Sequence, residues 1–214
     1  MAKAAILGAS GLVGSYLVHL LCEAEQIESV VSLARRPLEF THPKLKERLG
    51  DLLEEDYWNY ELDVDMVFVC IGTTQAKTSN KDLYRAIDYG IPKSACEWAK
   101  TNNAELISVV SSMGAKSSSN NFYLKTKGEI EDYLKDQSLA AQIFRPSLIL
   151  GPRKEQRFGE SFGKFFMKLL KPISPKNYRP VEAELIAKAM LNSALASSES
   201  KLVLSGEMEA LAKS

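Results

Sequence analysis

Residues 3–14 read Lys-Ala-Ala-Ile-Leu-Gly-Ala-Ser-Gly-Leu-Val-Gly, an apolar run that passes through three evenly spaced glycines into a helical pattern. The apolar run predicts a buried strand that stops at Gly8. Past it, Leu12, Tyr16 and Leu20 alternate with Val13, Leu17 and Leu21 at the period of a helix packed along one face. Gly8 permits the tight turn between the two elements, Gly11 lets backbone amides approach a ligand, and Gly14 lets the helix lie close to the sheet. The spacing is one residue wider than G-x-G-x-x-G. Placed between a strand and a helix it still marks a cradle for a dinucleotide pyrophosphate, because the first turn of a helix aims unpaired N–H groups and a positive dipole end at the anion. The expected contacts are Gly8, Ser10, Gly11, Leu12, Val13 and Gly14.

The same alternation continues along the chain. Strands are expected at 29–34, 45–49, 65–71, 106–110, 141–145 and 202–204. Helices are expected at 80–100, broken by Gly90 and Pro92, and at 121–134 and 181–196. This pattern predicts an α/β doubly wound Rossmann fold, a parallel sheet of six to seven strands covered on both faces, in one domain over 1–214. Ligands then bind beyond the carboxyl ends of the strands. Residues 151–180 contain four prolines and the basic residues Arg153, Lys154, Arg157, Lys164, Lys168 and Lys171 around an apolar stretch at Phe162–Leu170. They are expected to form a substrate-side lid.

Lys plus Arg and Asp plus Glu both number 27, so no net field draws the chain to nucleic acid or to an anionic membrane. The three cysteines, Cys22, Cys70 and Cys96, form no C-x-x-C pair, which fits buried thiols in a reducing compartment. His19 and His42 lack metal-ligand spacing, and no metal is expected. The uncharged stretch from Ala4 to Cys22 is broken by glycines and serines, so it reads as strand, turn and helix rather than as a targeting segment. A cytoplasmic location is the resulting expectation.

The second strand ends at Arg35-Arg36, where a carboxylate would bind a ribose diol and repel a 2′-phosphate. Guanidinium groups favour that phosphate and stack on adenine, so NADP(H) is preferred over NAD(H).

Tyr123-x-x-x-Lys127 opens the helix at 121–134, and Tyr89-x-x-x-Lys93 repeats the spacing, so spacing alone selects neither. Gly90 and Pro92 are expected to break the helical turn that the second pair needs. Tyr123 and Lys127 share one helix face and follow the strand that ends in Ser111-Ser112-Met113-Gly114. A tyrosine acting as general acid starts from a pKa of about 10, and a cation ~5 Å away at an effective dielectric of ~20 contributes roughly 3 kcal/mol, enough to lower it by about two units.

The glycine turn, the Val-Ser-Ser strand end and Tyr-x-x-x-Lys, in that order, resemble the short-chain dehydrogenase/reductase superfamily over essentially the whole chain. Cys-Ile-Gly-Thr-Thr at 70–74, Ser-Ser-Met-Gly-Ala-Lys at 111–116, Asn-Phe-Tyr-Leu-Lys-Thr-Lys-Gly-Glu at 121–129 and Phe-Arg-Pro-Ser at 144–147 are similar to its atypical branch, which includes the Tat-interacting oxidoreductase-like protein and its bacterial relatives. The resemblance implies NADPH-dependent hydride transfer to or from a small carbonyl or alcohol. In that scheme Tyr123 is the proton donor or acceptor, Lys127 its tuner and a ribose ligand, and Ser112 the group that orients the substrate oxygen. It places Asp51 and Leu52 beside adenine, Gly72, Thr73 and Thr74 under the ribose and phosphates, and Pro146, Ser147 and Leu148 beside nicotinamide. Ser112 precedes Tyr123 by 11 residues, which leaves Ser111 as the alternative serine, and Asp88 stands where many extended members carry asparagine. A regulatory or protein-interaction module that binds NADPH with little or no turnover is the second reading, and the partner expected beside the small-molecule substrate is a protein or a second copy of the chain. A sugar-nucleotide epimerase is the third.

Overall fold

The computed structural model describes residues 1–73, 78, 80–151 and 179–214. Strand β1 (Ala2–Leu7) runs into Gly8 and then into helix α1 (Leu12–Glu23), as the apolar run and the glycines require. The chain continues through β2 (Ile27–Ala34), β3 (Leu45–Leu49) and a 3-10 turn at Glu55–Trp58 to β4 (Met66–Val69). Helices α2 (Lys81–Arg85) and α3 (Ile91–Thr101) precede β5 (Leu106–Val110), and helix α4 (Phe122–Lys135) leads to β6 (Ala140–Arg145). Short strands β7 (Ile149–Leu150) and β8 (Val181–Glu182), helix α5 (Ala183–Ala196), strand β9 (Lys201–Leu204) and helix α6 (Ser205–Leu211) complete the described chain.

Seven strands form one sheet in the order β3-β2-β1-β4-β5-β6-β9, and every recorded pairing in it is parallel. The chain winds outward from β1 to β3 and then returns to the other side of β1 with β4. That reversal opens a crevice beyond the carboxyl ends of β1 and β4, where open parallel sheets bind ligands. Two apolar layers close the sheet. On one face Leu17 and Leu21 of α1 meet Ile186 and Met190 of α5 against Ile6 and Phe68. On the other, Ala95 and Trp98 of α3 and Ile130 and Leu134 of α4 cover Leu7, Val67 and Ile107. Burial on both faces explains why the central strands read as unbroken apolar runs rather than alternating ones.

The glycine turn is built by close approach. Gly8 has φ +82°, and a Cβ there would sit 2.7 Å from the Cys70 carbonyl oxygen at the end of β4. A Cβ on Gly14 would sit 2.1 Å from the Gly8 carbonyl oxygen, so no other residue lets α1 lie this near the turn.

The expected break at Gly90 and Pro92 takes a different form. The chain stays helical, but residues Ala86–Gly90 make one π turn in which the Ile91 N–H donates to the Ala86 carbonyl. Pro92 has no N–H for the carbonyl of Asp88 four residues earlier, and its ring crowds that carbonyl, so the helix widens just ahead of it. The pairing of β7 with β8, the 3-10 turn and α6 were not anticipated. The apolar stretch at Phe162–Leu170 and the basic residues from Arg153 to Lys171 lie outside the described residues.

Two buried serine hydroxyls, Ser32 Oγ and Ser108 Oγ, have no hydrogen-bond partner among the described residues. Ser108→Ala is therefore expected to raise stability by about 1 kcal/mol by removing an unpaired buried donor. Gly14→Ala is expected to cost roughly 3 kcal/mol, on the order of 10 °C in Tm, because its Cβ meets backbone rather than a flexible side chain. Thermal unfolding of the two variants beside the parent checks both signs.

Candidate active site

The turn from Gly8 to Gly14 supplies the anion cradle. Gly11 caps α1 without a side-chain hydrogen bond, and the first turn carries no acidic residue. Its N–H donates to the Gly8 carbonyl at 2.9 Å. Ser10 is exposed, Leu12 is half-buried, and Val13 and Gly14 are buried against the sheet. A positive helix end with uncapped amides, approached by backbone that bears no Cβ, fits a pyrophosphate.

Arg35 and Arg36 are exposed on the bend that follows β2. Asp51 is exposed in the turn after β3, where Oδ1 accepts from the Leu53 N–H at 3.1 Å, while Leu52 is buried and its carbonyl accepts from the Trp58 indole at 3.2 Å. These four residues follow the carboxyl ends of β2 and β3. Thr74 lies outside the described residues.

Helix α4 carries Tyr123 and Lys127. Asn121 caps it, accepting from the Leu124 N–H at 3.1 Å. The loop after β5 is laid across the helix: the Lys116 N–H donates to the Leu124 carbonyl, and a Cβ on Gly128 would sit 2.2 Å from Lys116 and Ser117 backbone atoms. Gly128 thereby fixes the loop that carries Ser111 and Ser112 against the turn that carries Lys127. Sequence reasoning passed over it.

The two serines part company. Ser111 Oγ donates to Glu131 Oε1 at 2.5 Å. Ser112 is hydrogen-bonded to the Tyr123 phenol, and its Oγ also lies 3.3 Å from the Met113 carbonyl. Geometry therefore puts Ser112, not Ser111, beside the tyrosine.

Lys127 is buried and its Nζ lies 2.9 Å from Asp88 Oδ1, itself wholly enclosed. The other carboxylate oxygen accepts from the Thr73 N–H at 2.8 Å. A Cβ on Gly72 would sit 3.5 Å from Asp88 Oδ1 and 3.7 Å from Lys127 Nζ, so the turn after β4 rests on this ion pair. The expectation that Lys127 lowers the Tyr123 pKa is corrected here. Burial pushes the phenol up, and the pull of Lys127 and of the Ser112 hydrogen bond does not offset it while Asp88 adds to the rise. For Lys127 itself, burial works downward, but Asp88, Tyr123 and Glu131 together carry the ammonium above its ordinary value.

A second buried ionic cluster stands behind the first. Glu131 is enclosed on α4 and takes Arg145 Nε at 2.9 and 3.1 Å through its two oxygens, with a further contact from Arg145 Nη2. It ties the ends of β5 and β6 to α4. The signal was legible in part: Glu131 falls four residues after Lys127 on the same helix face, but a partner on β6 cannot be read from helix spacing.

Of the remaining expected contacts, the Pro146 carbonyl accepts from the Met113 N–H at 2.9 Å, and the Leu148 carbonyl accepts from Val181 N–H at 2.9 Å. The Ser147 N–H donates to Ser205 Oγ at 2.7 Å and its hydroxyl donates to the Arg179 carbonyl. Ser147 is thus spent on holding the chain together. Tyr89 and Lys93 both pack on the Tyr133 ring at the outer surface of α3 and α4, away from the crevice. The earlier reason for setting that pair aside fails, since the backbone there is helical; its placement excludes it instead. Of the segment at 151–180 that was expected to form a lid, only Gly151, Arg179 and Pro180 are described. Among the described residues no helix is long and apolar enough to cross a membrane.

A doubly wound parallel sheet with a glycine cradle at its switch point defines a dinucleotide-binding protein. Residues 8–151 match the NAD(P)H-binding family, and the chain belongs to it. Protein FMP52, mitochondrial, of Candida albicans is 34% identical over 201 residues, covering 86% of this chain and 88% of its own. Protein HTATIP2 of Rattus norvegicus is 29% identical over 211 residues, covering 96% of this chain and 84% of its own. The chain stands with the FMP52 proteins in that family, and its likeness to HTATIP2 agrees with the branch that its sequence motifs resemble. Among solved structures, the UDP-N-acetylglucosamine 4-epimerase from Methanobrevibacter ruminantium M1 superposes with a TM-score of 0.72 at 20% identity, over 95% of this chain and 76% of that one, which is a likeness of fold. The cytoplasmic expectation is overturned by the fungal relatives, FMP52 of Candida albicans and of Meyerozyma guilliermondii among them, whose names place them in mitochondria.

Replacing Glu131 by Ala leaves the half-buried Arg145 charge unpaired and Ser111 without its acceptor. A loss of roughly 3 kcal/mol is expected. A urea midpoint within error of the parent would show that the cluster does not hold α4 to the sheet.

Proposed function

We propose that this protein is an NADPH-dependent oxidoreductase of the short-chain dehydrogenase/reductase type that acts on a small carbonyl or alcohol. The observation that carries the reading is the convergence of Ser112, Tyr123 and Lys127 beyond the end of β5, two strands from the glycine cradle at β1. When bound, NADPH supplies the hydride. Ser112 holds the substrate oxygen, and the Tyr123 phenol gives its proton to that oxygen and recovers one from water. Lys127 carries the positive charge that steadies the phenolate formed at that moment. Arg35 and Arg36 take the 2′-phosphate, which sets NADP(H) above NAD(H). Residues 1–214 act as one domain. The compartment is the one named for the fungal relatives, the mitochondrion.

NADPH is expected to raise Tm by more than NADH does at the same concentration, and Arg35→Glu with Arg36→Glu to reverse the order. Equal shifts with both cofactors would end the claim of NADP(H) preference. Tyr123→Phe is expected to lower kcat by at least about 100-fold with carbonyl substrates while NADPH affinity stays within a factor of about two.

One observation favours a second reading. The phenol is pushed up, and the lysine charge is already matched by Asp88, so the site as it stands is not charged for proton abstraction. That state suits a module that binds NADPH and signals its presence to a protein partner. Absence of NADPH oxidation across a broad carbonyl panel, together with partner capture that requires NADPH, is the result expected from this alternative.

A further inference from the structure

Among the described residues the π turn is the one irregularity inside a helix that borders the site, and it presents a single side chain to the interior at full burial, Asp88. Such turns cost helical hydrogen bonds and recur where a side chain must be re-aimed. The carboxylate bridges two elements: Lys127 on α4 at 2.9 Å and the Thr73 N–H after β4 at 2.8 Å. Among the described residues, the groups that face the Tyr123–Lys127 pair are few. Asp88 comes from the π turn, Tyr84 from α2, Glu131 from α4 itself and Ser112 from the end of β5. Glu131 is committed to Arg145, and Tyr84 is neutral, with burial pushing its pKa up. Asp88 is therefore the counter-charge of the ammonium.

Resting on the oxidoreductase reading for its catalytic consequence, we propose that Asp88 is a positioning residue that pins the Lys127 ammonium against the Gly72–Thr73 turn and keeps Tyr123 in its protonated form. With a neutral phenol the site is a proton donor, so carbonyl reduction is the favoured direction: the hydride pair enters the carbonyl carbon, the C=O π pair takes the phenol proton, and the phenolate is reprotonated by water. Alcohol oxidation would require the phenolate first and is disfavoured at neutral pH. The same carboxylate links the charge state of the acid to the turn expected to run beneath the cofactor. Movement of Thr73 changes what Lys127 is held against.

The experiment measures phenol titration in the cofactor-free full chain by NMR of ¹³Cζ-labelled tyrosine, with Tyr123→Phe to assign the resonance, and runs beside it the pH profile of NADPH-dependent carbonyl reduction. In the parent, Tyr123 is expected to titrate above the ~10 of free tyrosine. In Asp88→Asn, which keeps an acceptor for Thr73 but loses the charge, the midpoint is expected to fall by about one unit or more. The basic limb of the reduction profile should fall with it, and oxidation should gain relative to reduction. Asp88→Glu is expected to restore the parent titration at least in part, which a purely structural role would not require. A parent midpoint below about 9, or an Asp88→Asn midpoint unmoved in a protein that still binds NADPH, overturns the proposal. The parent measurement decides even where Asp88→Asn does not fold. A titration that moves as expected in a protein that turns over no carbonyl upholds the role of Asp88 and removes the oxidoreductase reading instead.

Discussion

Two opposite charges without solvent, Lys127 and Asp88, meet at the junction of α4, the π turn and the end of β4. Desolvating both is expensive, and the attraction recovered in the interior seldom leaves a net gain over apolar packing. Such a pair is therefore a poor stabiliser and a good register mark. It permits one arrangement of α4 against β4, the one in which an unpaired charge is left on neither side. The surrounding apolar layers supply the stability that carries it. Trp98, Ile130 and Leu134 on the same face bury the area that holds α3 and α4 on the sheet.

The pair also decides the electrostatics of the tyrosine. A lone ammonium one helical turn away would lower a phenol by about two units. An ammonium with a carboxylate at 2.9 Å acts at a distance as a dipole, whose field falls off faster than that of a charge. What remains is smaller than the burial penalty on the phenolate, and the net direction is upward. The two α4 residues four apart thus serve different ends: Lys127 meets the carboxylate beside the turn after β4, while Glu131 holds Arg145 and Ser111 and keeps the strand ends in place. With Ser111 held, Ser112 is the hydroxyl left for the phenol.

Much of this was legible in the sequence, and the remainder has identifiable causes. Apolar runs such as Met66–Val69 and Leu106–Val110 are strands buried on both faces, so period and composition agree and their existence could be read directly. The glycine turn was legible because each glycine has a local steric reason. Strands β7 and β8, two residues each, carry no periodicity at all. The π turn was read as a break because Gly90 and Pro92 signal lost helix equally well whether the chain leaves the helix or only widens it. The partner of Lys127 lies 39 residues earlier in the chain, and no local spacing rule reaches that far. For the same reason the tyrosine shift was given the wrong sign: the neighbour that tunes a lysine is a property of the fold. The compartment is not a matter of fold, and it was the relatives' names that corrected it.

The likeness to epimerases at 20% identity separates scaffold from chemistry. A doubly wound sheet delivers a cradle at β1 and side chains at the ends of β4 and β5 whatever reaction follows. The difference must then lie in how the charges at those ends are balanced. An enzyme that must take a proton from an alcohol gains from an uncompensated cation beside its phenol. One that must give a proton gains from a compensated cation, which leaves the phenol neutral until the oxygen of the substrate begins to accumulate charge. This chain has compensated its lysine with a carboxylate that a widened helical turn carries inward, and it has bound that carboxylate to the backbone of the turn after β4. The balance is therefore held by the same hydrogen bond that positions Thr73. Any ligand that displaces this turn must also disturb the proton affinity of Tyr123.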